Sequence, residues 1–190
     1  WWGSKDKFII NQNRQLQLND TRAGQAYLAT LVKCDTNMEW QFWVRVAFSP
    51  SSNNYIRIYL LSDKPDLTKA LHGYYLQLGE AGGKDAPEIF RQDGTLVIPV
   101  CRGKEGIIAS SFQIRFRIIR TQKGNWQLFV DPEGNSNFRF EASGVDSSCA
   151  GGSVFGLFCQ YTSSNVQKIY MDDIYVGPEI MDKTPPRLLK

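Results

Sequence analysis

Side chains that could contact a carbohydrate alternate along three predicted strands of this 190-residue chain. They are aromatic, arginine or amide residues, namely Trp43, Arg45, Tyr55, Arg57, Tyr59, Tyr75 and Gln77. Flat aromatic rings pack on the C–H faces of sugars, while arginine and glutamine donate hydrogen bonds to sugar hydroxyls. The pattern predicts a carbohydrate-binding surface, on which arginine would favour acidic sugars. The alternative is a structural or protein-interaction domain, in which long loops or a downstream module of the same chain cover these side chains.

The chain lacks the acid spacing that is typical of a sugar-cleaving enzyme. Glycoside hydrolases hold two carboxyl groups about 5 to 10 Å apart, which on one strand requires acids at positions i and i+2 or i+4. Glu39 is followed by Gln41 instead, and Glu88 has no acid at either spacing. The single histidine, His72, lies in a predicted loop end, and no serine is set in a G-x-S-x-G segment. The sequence therefore predicts a protein without enzymatic activity; a glycoside hydrolase with acids from different strands is the less favoured alternative.

Strict alternation predicts the two strands that carry most of these residues. Apolar side chains occupy every second position in segment 38–48 and again in segment 56–60. Because the turn-forming segment 49–54 separates the two strands, they are predicted to pair as a central hairpin. In this arrangement Trp43 would lie on the solvent-exposed face, opposite the core.

Other patterns predict about a dozen strands in total and almost no helix. Segments 112–118 and 126–130 are predicted to form a second long hairpin. Asp93-Gly94 predicts a two-residue turn between two further strands. A single helical turn is predicted over 63–71, with Pro65 near its first position.

Composition excludes several classes of protein. The formal charge of +3 is small, and the signs are mixed along the chain, which argues against nucleic-acid binding. No apolar run approaches the roughly 20 residues that span a bilayer as a helix. The scattered cysteines indicate neither a disulfide scaffold nor a zinc site; they are interpreted as small buried hydrophobic residues, with any pairing left open. They are Cys34, Cys101, Cys149 and Cys159.

Domain organisation follows from the last residues. Paired prolines near the end hold a chain extended, so residues 179–190 are predicted to form a proline-rich linker toward a further module. Residues 1–178 are predicted to form a single domain, since this length suits one all-β unit.

Five segments carry a resemblance to a known family: LQLND at 16–20, SPSSNNYIRIYLLSD at 49–63, FRQDG at 90–94, FGLFCQYTSSN at 155–165 and YMDDIYVG at 170–177. The chain resembles the concanavalin A-like jelly-roll domains of secreted or surface proteins of gut Gram-negative bacteria, which often precede a lamin-tail-like or immunoglobulin-like module. The resemblance covers nearly the whole chain and implies an all-β, two-sheet antiparallel β-sandwich. It also implies glycan binding or surface attachment outside the cytoplasm, in a secreted, periplasmic or cell-surface protein.

The resemblance further implies a calcium site at Asp172-Asp173. In similar carbohydrate-binding sandwiches an Asp-Asp pair in the last strand often helps to hold a structural calcium ion, and Asn19-Asp20 could add oxygen ligands. Regular alternation, however, directs neighbouring side chains to opposite faces of a strand. The other interpretation is that one carboxylate faces solvent while the other accepts backbone hydrogen bonds. Both interpretations stay open at this point.

Overall fold

Strands make up almost all of the regular structure in the computed structural model, which describes residues 1–34, 37–148 and 152–180. In chain order they are β1 (Trp2–Gly3), β2 (Phe8–Ile10), β3 (Leu16–Leu18), β4 (Gly24–Leu31), β5 (Met38–Val46), β6 (Tyr55–Ser62), β7 (Leu71–Leu78), β8 (Glu88–Gly94), β9 (Leu96–Arg102), β10 (Phe112–Arg120), β11 (Asn125–Asp131), β12 (Arg139–Val145), β13 (Val154–Tyr161) and β14 (Ile169–Pro178). The helical segments of these residues are two short 3-10 turns, Lys5–Lys7 and Ser163–Asn165. The prediction of many strands and almost no helix is confirmed.

The strands form two antiparallel sheets that pack face to face. Sheet A has seven strands in the order β1-β4-β13-β6-β7-β8-β9, and sheet B has seven in the order β12-β11-β10-β5-β14-β3-β2. Apolar residues on the facing sides form one core, in which the rings of Trp40 and Trp126 stack with centroids 5.9 Å apart. The predicted all-β, two-sheet antiparallel sandwich is confirmed.

The two central strands do not form a hairpin. β5 pairs with β10 and β14 in sheet B, whereas β6 pairs with β13 and β7 in sheet A. Segment 47–54 therefore crosses from one sheet to the other. Alternation determines which face of a strand meets the core, but strands of both sheets share that pattern, so alternation does not select the partner strand. The predicted pairing is wrong, although both strands exist with the predicted inward residues.

Two other predicted hairpins are confirmed, one of them with a shifted turn. β10 and β11 pair with Phe116 opposite Val130. β8 and β9 pair with Asp93 opposite Leu96, so the turn consists of Gly94-Thr95. Gly94 has a φ of 66°. Glycine adopts this left-handed conformation without a steric penalty, which explains why the turn centres there.

Segment 63–70 is a loop and contains no helix. The carboxylate of Asp66 accepts hydrogen bonds from the N–H and the hydroxyl of Thr68, at 3.0 and 2.6 Å. Such a local side-chain bond competes with helical hydrogen bonding. The predicted helical turn is therefore wrong, and Leu71 begins β7 instead of ending a helix.

The cysteines agree only in part with the prediction of buried side chains, and the predicted linker stays a prediction. Cys101 and Cys159 are buried, Cys34 is exposed, and all three thiols are free. Burial raises the pKa of the Cys101 thiol to about 12. Cys149 and residues 181–190 of the predicted linker lie outside the described residues. Among the described residues, no helix has the length and apolar character to cross a membrane.

Candidate functional site

The sandwich divides the predicted binding residues between its two outer faces. Sheet A carries five of them on β6 and β7, namely Tyr55, Arg57, Tyr59, Tyr75 and Gln77. Sheet B carries the other two, Trp43 and Arg45, on β5. The inference of one surface that joins Trp43 to the tyrosines is therefore wrong, because β5 and β6 belong to different sheets.

Trp43 is covered on the outer face of sheet B. Its side chain is only 8% exposed. The loop after β11 lies against the indole, and a Cβ added at Gly134 would be 3.2 Å from Trp43 Nε1. Arg45 remains exposed, with its guanidinium carbon 5.1 Å from the centroid of the Tyr170 ring. Trp43 thus fits the packing alternative, while Arg45 borders a separate cleft.

On sheet A, rings from four neighbouring strands contact one another. Ring centroids are 6.1 Å apart for Tyr55 and Phe158, 5.2 Å for Tyr59 and Tyr75, and 5.6 Å for Tyr75 and Phe90. The strand register produces this arrangement, because Tyr75 lies directly between Tyr59 and Phe90 on the adjacent strands. We call this surface the aromatic face and define it as Tyr55, Arg57, Tyr59, Tyr75, Gln77, Phe90 and Phe158.

Arg57 is immobilised at the centre of the aromatic face. Its guanidinium carbon is 5.1 Å from the ring centroid of Tyr55 and 4.8 Å from that of Tyr75. Its Nε–H donates to Gln77 Oε1 at 3.0 Å, and Gln77 Nε2 donates to the carbonyl of Gly79 at 3.1 Å. These contacts determine the plane of the guanidinium group.

The aromatic face has a buried layer and an accessible layer. Tyr59 and Tyr75 are 1% and 0% exposed. Leu67, from the loop between β6 and β7, belongs to the same apolar cluster as these two rings. The accessible layer consists of half-buried residues, namely Tyr55, Arg57, Gln77 and Phe90. A ligand would contact the accessible layer, and the buried tyrosines would support it from below.

Amide groups lie beside the rings. Gln160 is opposite Tyr55 on β13, and its Oε1 accepts a hydrogen bond from Gln25 Nε2 at 2.9 Å. Gln92 accepts the hydroxyl hydrogen of Tyr59 at 2.9 Å. Rings flanked by amide donors and acceptors can offer a sugar both apolar contact and hydrogen bonds.

The carboxylates at the edge of the aromatic face are held by Arg102. Its Nη2 is 2.7 Å from Glu80 Oε1, and its Nη1 is 2.6 Å from Glu88 Oε2. Hydrogen bonds to Glu80, and also to Glu88, raise the pKa of Arg102 further above its ordinary value. One guanidinium group thus bridges the two carboxylates, whereas a glycoside hydrolase holds its two carboxyl groups on either side of the sugar. This acid pair is therefore not arranged as that of a glycoside hydrolase.

His72 is a surface residue of β7, as predicted, although it lies in a strand rather than at a loop end. Its Nδ1 is 3.0 Å from Asp63 Oδ2, and its Nε2 is 3.2 Å from Asp93 Oδ1. Both ring nitrogens therefore face carboxylates, and neither faces a serine hydroxyl.

The carboxylates of Asp172 and Asp173 are bound to other groups of the chain. A β-bulge interrupts β14 between Asp172 and Tyr175, and Asp173 has a φ of 50°. The carboxylate of Asp173 forms an ion pair with Arg115, and Asp172 Oδ1 accepts the backbone N–H of Asp173 at 2.8 Å. Within the part of the chain that the structure describes, no three His, Cys, Asp or Glu side chains are placed to share a metal ion. The residues present do not fit the calcium hypothesis.

Asn19-Asp20 lies elsewhere and makes other contacts. The Asp20 backbone N–H donates to the carbonyl of Val166 at 3.0 Å, in the segment before β14, whereas the bulge lies within that strand. The Asp20 carboxylate is 2.9 Å from Lys7 Nζ and accepts the hydroxyl hydrogen of Tyr161. A lysine and a tyrosine thus already bind this carboxylate.

The contacts of Asp20 lead us to expect that its contribution to stability depends on pH. Burial raises the pKa of this carboxyl, but hydrogen bonds from Tyr161 and Lys7 outweigh burial and lower the pKa below its ordinary value of 3.8. The contribution of this carboxylate to the free energy of unfolding is therefore fully present when the pH is above the ordinary pKa. It is lost as the pH falls through the lower pKa of the folded state. We expect Asp20→Asn to reduce the free energy of unfolding by about 2 kcal/mol at neutral pH and by much less at about pH 2. Urea unfolding at both pH values measures the difference, and an equal loss at both contradicts the assignment.

Comparison with known proteins gives matches in structure only. No protein-family model matches the sequence, and no curated protein matches it. The VIP36 exoplasmic/lumenal domain, in its Ca2+/Man-bound form, matches with a TM-score of 0.68 and 10% identity over 96% of this chain and 84% of that chain. The Emp47p carbohydrate recognition domain matches with a TM-score of 0.63 and 11% identity, covering 90% and 83%. The legume lectin-like domain from Entamoeba histolytica gives 0.62 and 8%, covering 90% and 87%. At these identities the likeness concerns the fold, and the chain has the concanavalin A-like jelly-roll sandwich that the sequence resemblance predicted.

Proposed function

We propose that this protein binds a glycan through the accessible layer of the aromatic face and does not cleave it. One observation carries the proposal: Tyr55 and Arg57 on β6 and Phe90 on β8 are half-buried over a floor of packed tyrosines. The rings provide apolar contact for a sugar, and the guanidinium and the Gln77 amide provide oriented hydrogen-bonding groups.

The ligands and domain types of the similar structures support this proposal. VIP36 has been solved with Ca2+ and mannose and with Ca2+ and Man3GlcNAc, and the Emp47p domain is described as a carbohydrate recognition domain. We propose binding that does not depend on calcium, because Asp172 and Asp173 make contacts that do not suit an ion. The location outside the cytoplasm, the surface attachment and the downstream module belong to the same proposal and rest on the resemblance.

The area of the accessible rings sets the scale of affinity. Two rings that bury about 150 Å² of apolar sugar surface contribute roughly 4 kcal/mol at about 25 cal/mol/Å². This free energy corresponds to a Kd of about 1 mM. Measurable attachment therefore requires several copies of the binding site, which raise the avidity.

A glycan array probed with the protein tetramerised on streptavidin tests the proposal. Wild type should bind at least one glycan class, with or without calcium. Tyr55→Ala should weaken that binding about thirtyfold, since it removes about half of the apolar contact, or about 2 kcal/mol. Tyr170→Ala is the matched control, because Tyr170 is also half-buried with an arginine 5.1 Å from its ring centroid, but on sheet B.

Two outcomes contradict the proposal. The first is that wild type binds no glycan on the array. The second is that Tyr170→Ala loses binding while Tyr55→Ala, with an unchanged melting temperature, retains it.

A further inference from the structure

We infer that the aromatic face selects glycans containing a uronic acid and that Arg57 recognises the sugar carboxylate. This inference rests on the proposed function and adds the substrate class to it. It follows from the charge, the orientation and the surroundings of Arg57.

Arg57 carries a positive charge that no acidic side chain balances within the described residues. Four other arginines on the two sheets each pair with a carboxylate at 4.0 Å or less: Arg91, Arg102, Arg115 and Arg117. None of the ion pairs found among residues 1–34, 37–148 and 152–180 includes Arg57. The acid nearest to it by strand register, Glu88, lies opposite Gln77 and is bound by Arg102. A ligand carboxylate would therefore supply the missing counter-charge.

The orientation of Arg57 suits a planar carboxylate. Its Nε–H is taken by Gln77, and the rings of Tyr55 and Tyr75 determine the plane of the group. Arg57 also donates a side-chain hydrogen bond to the hydroxyl of Tyr59. Of the five N–H donors of an arginine, at least three on the two terminal nitrogens therefore remain, and they can bind a carboxylate through two parallel hydrogen bonds. Because the side chain is already held, little conformational entropy is lost when the ligand binds.

The surroundings of Arg57 suit a sugar that carries the carboxylate. Tyr55 lies in contact with the guanidinium and is itself half-buried, so a pyranose ring stacked on Tyr55 would place a ring carboxylate beside Arg57. A half-buried guanidinium without a counter-charge is partly desolvated, which strengthens its attraction for an anion relative to a more exposed arginine such as Arg45.

The experiment compares each uronic acid glycan with its own neutral form. Oligomers of galacturonic, glucuronic and mannuronic acid are printed beside their carboxyl-reduced counterparts and beside sulfated neutral oligosaccharides. Wild type should bind at least one uronate about tenfold better than its reduced form, as expected for a charge-assisted pair of hydrogen bonds. Arg57→Gln should reduce this ratio to about 1, and Arg57→Lys should retain part of it, because lysine keeps the charge without the fork.

Arg45→Gln is the matched control, because it removes an arginine stacked on a tyrosine of sheet B. It should leave the preference for uronates unchanged. Equal binding of reduced and unreduced glycans by wild type overturns the inference and leaves the proposed function standing. A preference for sulfate esters, or a uronate preference that only Arg45→Gln removes, also overturns it. Absence of binding to every glycan overturns the inference and the proposed function together.

Discussion

Arg117→Ala is expected to reduce the free energy of unfolding by about 3 kcal/mol, because it leaves a buried carboxylate without its charged partner. Glu39 is 0% exposed, and its two oxygens accept hydrogen bonds from Arg117 Nε at 3.0 Å and Nη2 at 2.9 Å. Its Oε2 also accepts the N–H of Ile180 at 3.0 Å, so the pair holds the chain just after β14. The estimate is at the lower end of the usual range because Arg117 is still 25% exposed.

Urea unfolding at neutral pH measures this loss. The matched control is the double variant Glu39→Leu with Arg117→Met, in which apolar side chains of similar length replace both charges. Its stability should lie close to that of wild type, since no charge is left unpaired. A loss of less than about 1 kcal/mol for Arg117→Ala would show that Glu39 does not need this partner.

Leu67→Ala is expected to cost about 3 kcal/mol and to uncover part of the buried layer of the aromatic face. Leu67 is 3% exposed and belongs to the apolar cluster that includes Ala29, Tyr59 and Val154. Gly156 makes room for this side chain, since a Cβ there would lie 2.6 Å from Leu67 Cδ1. The truncation therefore opens a cavity above sheet A.

Leu96→Ala is the matched control for Leu67→Ala. Leu96 is 59% exposed in β9, so its truncation should change the free energy of unfolding by less than about 0.5 kcal/mol. Equal losses for the two variants would mean that the loop between β6 and β7 does not contribute packing to the aromatic face.

Local alternation predicted the strands β5 and β6 but not their partners. The period of two in β5 and β6 correctly indicates which side chains of each strand face the core. It carries no information on whether the strands share a sheet, because each sheet buries one face in the same way. For that reason the alternation pattern predicts one surface that contains Trp43, Arg45, Tyr55 and Arg57. In the structure the sandwich core separates the first two residues from the last two.

The sequence did not indicate that a loop covers Trp43. It also did not indicate two members of the aromatic face. Gly134 reaches Trp43 from a loop distant in sequence, so no local pattern indicates the contact. Sequence reasoning did not select Phe90 or Phe158 as members of the surface, although one signal was present. Segment 154–161 has apolar or small residues at every position except Gln160, which is typical of a strand covered on both faces, and Phe158 is part of the outer cover.

The calcium prediction illustrates a different limit. The resemblance implies that Asp172-Asp173 and Asn19-Asp20 share a calcium ion. Nothing in the sequence indicates that these side chains already have other partners in the folded protein. The bulge in β14, the Arg115 ion pair and the Lys7 contact of Asp20 all depend on tertiary structure.

The most direct test of binding at the aromatic face is an NMR titration of the assigned backbone amides with the glycan that binds best on the array. Shifts are expected to concentrate on β6, β7 and β8, including Tyr55, Arg57 and Gln77, while Trp43 and Arg45 on β5 should change little. Shifts confined to sheet B, or shifts spread evenly over both sheets, would contradict glycan binding by the aromatic face.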